Sequence, residues 1–139
     1  MRLLISGEKL IKDLRQEFSI AYPYLQLEFF SNDGVRKTRY AAFKKIDHEK
    51  ALRDAGIQKN HQGYIEIKDS TTVLELESIL MDKFGLSAQV FRKSGNIWLE
   101  TTMTDDWTLK QQNDHGREIT LSFEDENRPF NDFDLNRDI

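Results

Sequence analysis

The chain has no cysteine, only two prolines, seven glycines and three histidines in 139 residues. Without cysteine there is neither a disulfide framework nor a thiolate zinc site. The histidines, His48, His61 and His115, are scattered and lack the paired helical spacing of a zinc hydrolase. Asp132, Asp134 and Asn136 begin like a calcium loop, but Arg137 stands where that loop requires glycine and no closing glutamate follows. No metal and no cofactor are therefore expected. A nucleophile elbow, a glycine-rich phosphate loop and a cysteine nucleophile are also missing. Long apolar runs are absent too: MRLLISGEKL offers only Leu3 to Ile5 before charges return. No signal peptide or membrane span is expected, and the setting is read as cytoplasmic.

What is present is one domain's worth of apolar residues, with charge laid out in blocks. Residues 1–30 carry four charges of each sign. Residues 31–62 hold eight basic against four acidic side chains, and residues 63–123 six against ten. The last block, 124–139, holds two against six, contains Pro129 and has few aliphatic residues. That composition buries too little apolar area to offset ordering entropy, so an acidic, disordered tail is expected after a single domain over 1–123. Residues 31–62 read as a basic excursion, with turn formers at Ser31 to Gly34 and a short helix between about Asp47 and Ala55.

Shifting the sequence over itself by 62 positions superimposes Leu3 on Ile65, Ile11 on Val73, Leu14 on Leu76, Phe18 on Leu80 and Tyr22 on Phe84. Each unit reads strand, helix, strand: an alternating run, then apolar residues three and four apart, then a second alternating run. Thr72 and Glu75 have capping-box spacing, and Gly85 can end the second helix. Two such units predict an α+β fold of ferredoxin-like type, a split βαβ sandwich with both helices on one face of an antiparallel sheet. A β-grasp arrangement is the competing layout. Ser94, Gly95 and Asn96 predict a hairpin between Gln89–Lys93 and Ile97–Thr102. A two-turn helix ending at Gly116 and a last strand over Ile119, Leu121 and Phe123 complete the C-terminal extension.

Alternation assigns Leu3, Ile5, Leu25, Leu27, Phe29, Ile65, Ile67, Ile97 and Leu99 to the helix side. It leaves Gln26, Glu28, Phe30, Tyr64, Glu66, Trp98 and Glu100 on the open side. On the fourth strand, the 62-residue offset would turn Gln89 and Phe91 inward, whereas residue chemistry favours Ala88 and Val90; chemistry is followed and Phe91 joins the open side. A surface of Phe30, Tyr64, Phe91 and Trp98 with Glu66 and Glu100 should be covered, either by residues 107–123, by a second copy or by a partner.

Nucleic acid is disfavoured on that surface because Glu28, Glu66 and Glu100 would repel phosphates. A basic stretch of Arg36, Lys37, Arg39, Tyr40, Phe43, Lys44 and Lys45 is the alternative nucleic-acid segment. An enzyme reading would rest on Glu100, Thr101, Thr102, Thr104, Asp105, Asp106 and His115, but threonine in a strand and aspartate before a helix have ordinary structural reasons, β-propensity and N-terminal capping. The stretch KFGLSAQVFRKSGNIWLETTMTDDWTLKQQNDHGREI from Lys83 resembles a segment of a family of small bacterial proteins without an assigned function. The resemblance implies a bacterial cytoplasmic setting and no catalytic residue. The expectation is a non-enzymatic binding or regulatory module that engages a protein partner or another copy of itself, without membrane contact.

Overall fold

The computed structural model describes residues 1–31, 44–57 and 61–126. The elements run β1 (Arg2–Ile5), α1 (Ile11–Ala21), β2 (Leu25–Phe30), β3 (Gly63–Glu66), α2 (Val73–Phe84), β4 (Ser87–Ser94), β5 (Ile97–Glu100) and α3 (Leu109–Glu126), with a 3-10 turn at Leu52–Ala55. Antiparallel β1–β3 forms one sheet and antiparallel β2–β4–β5 another. The fold is thus mixed α+β, but the expected single ferredoxin-like sheet is not formed among the described residues. Both edges of β2 are already taken. β4 occupies one, and residues 44–46 take the other through Ser31 N–H to Lys44 O at 2.7 Å and Ile46 N–H to Phe29 O at 2.9 Å. A β-grasp sheet, which needs a hairpin of β1 and β2, is absent as well.

The internal repeat is visible in the backbone. Leu3 pairs with Ile65, its own equivalent, so a local two-fold relates β1 to β3. On β2–β4 the register pairs Leu27 with Val90 and Glu28 with Gln89. Equivalent positions there stand an odd number of residues apart, and the one-residue slip flips β4. Val90 is accordingly buried and Phe91 lies on the other side, as residue chemistry indicated. The loops entering the helices repeat too. Ile11 N–H bonds to Lys50 O and Lys12 N–H to His48 O, just as Val73 N–H bonds to Trp107 O and Leu74 N–H to Asp105 O. Leu52 N–H to Lys9 O likewise matches Leu109 N–H to Thr71 O. Residues 48–53 therefore correspond to 105–110, and the 3-10 turn is the short counterpart of the start of α3.

The helices follow from local chemistry. Thr72 and Glu75 form the capping box of α2, with Oγ1 and Oε1 each accepting from the other residue's N–H at 3.1 and 3.0 Å. Gly85, at φ 71°, closes it. One core collects Leu3, Ile5, Phe18, Phe29, Leu80 and Val90 with Ile46, Leu52 and Ile57, so the second half of the basic excursion is core-forming.

The C-terminal extension corrects the sequence reading. α3 is a single helix of 18 residues that runs through Gly116 and through Ile119, Leu121 and Phe123, where a strand was expected. Gly116 lies inside it because the helix presses on β4 there: an added Cβ would meet Arg92 Cγ at 2.9 Å, Tyr24 Cβ at 3.1 Å and Lys93 O at 3.2 Å. Glycine here marks close approach, and the buried positions Leu109, Gln112, Gly116 and Thr120 keep helical spacing. The tail's first residues, Glu124 to Glu126, continue this helix; the expectation for 127–139 lies outside the described residues.

Candidate functional site

Cross-strand pairing defines the open side of the three-stranded sheet. Gln26, Phe91 and Glu100 form one row, Lys93 and Trp98 another, and Glu28–Gln89 and Phe30–Ser87 two more. Four of the six expected binding residues, Phe30, Phe91, Trp98 and Glu100, are brought onto this one surface. Tyr64 and Glu66 are not: they lie exposed on β3, in the other sheet, with the Arg2 guanidinium 4.2 Å above the Tyr64 ring. Phe30 and Glu100 line a cavity of about 240 Å³ with Ser87 and Gln89. Trp98 walls a cleft of about 340 Å³ whose other side is α1, through Lys12, Arg15, Gln16 and Ser19, with Gln26 between.

The expected cover is not where it was placed. Gly116 abuts Arg92, and Arg92 shares its side of the sheet with Leu25 and Leu99, so α3 packs on the core side and is not the cover of the open side, which α1 borders through Arg15. Arg92 Nη1 donates to Gln112 Oε1 at 2.8 Å, and burial pushes the guanidinium below its ordinary range.

Ile97 and Leu99, expected against the helices, are 54% and 40% exposed, and Trp98 on the opposite side is 40% exposed. β5 is the outermost strand, and the helices pack mainly on β2 and β4. No described strand pairs with its outer edge. Lys93 N–H donates toward β2, to Tyr24 O at 2.9 Å, which makes Lys93–Trp98 a non-hydrogen-bonded pair of the hairpin. The main-chain N–H and C=O of Trp98 and Glu100 therefore point to the open edge.

Glu28, expected on the surface, is 1% exposed. Its Oε1 accepts from Arg15 Nε and from His48 Nε2, each at 2.8 Å, while Lys45 Nζ lies against Oε2. Arg15 Nη1 donates to His48 Nδ1 at 2.9 Å, so the imidazole hydrogen sits on Nε2. A buried carboxylate is tolerable only with such partners, and they remove one of the three glutamates held to repel phosphate from this face. Arg15 and His48 belong to no sequence motif; only the pairing of 44–46 with β2 brings His48 to the helix. Lys45 is thereby engaged, and Arg36, Lys37, Arg39, Tyr40 and Phe43 of the nucleic-acid alternative lie outside the described residues.

Most groups of the enzyme alternative are engaged in structural contacts. Thr101 Oγ1 is buried and donates to Val90 O at 2.8 Å, Thr104 Oγ1 accepts from Gln112 Nε2 at 2.8 Å, and the Asp105 carbonyl caps α2. His115 meets Trp107 edge-on at 5.4 Å. Glu77, overlooked in the sequence, accepts from Val90 N–H at 2.9 Å. Its carboxyl is pushed up to about 7, first by burial and then by the like charges of Asp105 and Glu100, against the lowering effect of that hydrogen bond.

Among the described residues no cluster of three side chains can hold a metal ion, and no helix is long and apolar enough to cross a membrane. No family model, curated protein or solved structure matches the chain.

Proposed function

We propose that this protein is a non-enzymatic cytoplasmic binding module that engages a protein partner through β5 and the adjoining open side of the β2–β4–β5 sheet. One observation carries the reading: among the described residues β5 is an edge strand, with apolar side chains exposed on both sides and main-chain groups aimed outward. Edge strands are ordinarily blunted by charge, proline or a covering segment. This one carries a single charge, Glu100, across Ile97 to Glu100. Strand addition supplies affinity from the main chain, and alternating side-chain contacts supply selectivity. Trp98 is the anchor, with Phe91 and Phe30 beside it on the same surface and Glu100 selecting against acidic partners.

The test is affinity purification from the native cell with three baits: the wild-type chain, Trp98→Ala and Tyr64→Ala. Trp98→Ala is expected to weaken the complex by about 2 kcal/mol, roughly thirtyfold, whereas Tyr64→Ala, on the other sheet, leaves it intact. Equal recovery of every partner by the Trp98 variant refutes the assignment.

A further inference from the structure

We infer that the partner strand at β5 is β5 of a second copy of this chain, paired antiparallel about a two-fold through Trp98 to give a continuous six-stranded sheet. This rests on the binding-module reading above and deepens it. Directly opposed residues in an antiparallel pair lie on one side of the sheet, so a two-fold perpendicular to it must be centred on a residue. Centred on Trp98, every row matches. Trp98 meets Trp98, Ile97 on each copy meets Leu99 of the other, and Glu100 meets Asn96 at the turn. The outward-pointing main chain of Trp98 then forms a reciprocal pair of hydrogen bonds at the axis.

Charge selects the same register. The two Glu100 residues stand four residues apart along the strands, roughly 14 Å and beyond the ~8 Å screening length, and each lies nearer the partner's Lys93, at roughly 12 Å between Cα atoms. Centring on Leu99 brings the glutamates to about 8 Å, sets each against the partner's Trp98, and opposes Ile97 to Thr101. Thr101 is unsuited to that pairing because it is buried and tied to Val90 O. Centring on Ile97 would lay Leu99 and Glu100 against the hairpin turn. The strip is short for an interface, well under the roughly 800 Å² per partner of stable complexes, so the dimer is expected to be concentration-dependent, with micromolar dissociation.

Sedimentation velocity of the full chain over a hundredfold concentration range tests this. The wild type should pass from monomer to dimer, while Trp98→Lys and Ile97→Lys, shown folded by circular dichroism, associate at least tenfold more weakly. Because the chain has no cysteine, register is read directly. A mixture of Asn96→Cys and Glu100→Cys chains should yield the mixed disulfide-linked dimer in preference to either homodimer, and Leu99→Cys alone should not cross-link. Preferential homodimer cross-links overturn the register. A wild type that stays monomeric while Trp98→Lys loses another protein partner overturns self-pairing and leaves the binding-module reading standing; a Trp98→Lys change that alters neither overturns both.

Discussion

Glu77 makes the stability of this protein depend on pH in a direction opposite to that of an ordinary surface carboxylate. Its carboxyl, 4.5 in an unfolded chain, stands at about 7 in the fold because it is partly buried on α2 and shares its surroundings with Asp105 and Glu100. A raised native value means that the folded state holds the proton more tightly. The contribution is complete below pH 4.5, is lost as pH climbs toward 7, and is gone above it. The interval between the two values corresponds to at most about 3 kcal/mol, and solvent screening of a partly buried group reduces the expected loss to about 1–2 kcal/mol. Glu77→Gln keeps an oxygen for Val90 N–H and cannot ionise. The variant should therefore match the wild type near pH 4.5 and exceed it by about 1–2 kcal/mol at pH 8. Urea unfolding followed by tryptophan fluorescence across this range gives the difference directly. Curves that stay parallel at every pH, or a variant less stable at pH 8, refute the reasoning.

Two further expectations concern packing and buried charge. Glu28→Gln leaves Arg15 and Lys45 facing a neutral amide, and should cost about 3 kcal/mol in denaturant unfolding at neutral pH; a loss below about 1 kcal/mol would show that water already reaches these cations. Gly116→Ala gains about 1 kcal/mol of helix propensity but drives a methyl group into Arg92, Tyr24 and the Lys93 carbonyl, so a net loss of about 1–3 kcal/mol is expected. A stabilised variant in the same unfolding assay would mean that α3 does not press on β4.

Much of the local structure was legible from residue order. Thr72, Glu75 and Gly85 mark the ends of α2 because capping and left-handed closure are satisfied within a few residues, and Gly95 marks the β4–β5 turn for the same reason. The repeat was legible only up to the helix ends. The equivalence of 48–53 with 105–110 lies at a different spacing, and the two segments share little beyond Leu52 and Leu109. Gly116 has the local look of a helix end, whereas its role, close approach to Arg92 and Tyr24, depends on residues far away in the chain. For the candidate site, alternation set Phe30, Trp98 and Glu100, and residue chemistry Phe91, on the side they share in the strand pairing, since a strand's side chains obey a period of two wherever the strand is placed. It wrongly added Tyr64 and Glu66, because alternation does not say which sheet a strand joins.

The sequence by itself thus determined the α+β class, the paired strand–helix–strand units, the helix caps, the hairpin and the apolar side of each strand, all properties written in spacings of a few residues. Tertiary structure alone decided the division into two sheets, the burial of Glu28 among Arg15, Lys45 and His48, the elevated proton affinity of Glu77 and the exposure of β5. Each of these depends on which segment occupies which edge. Residues 44–46 fill the free edge of β2 and no described strand fills that of β5, and main-chain hydrogen bonding carries no side-chain signature from which either could have been foreseen.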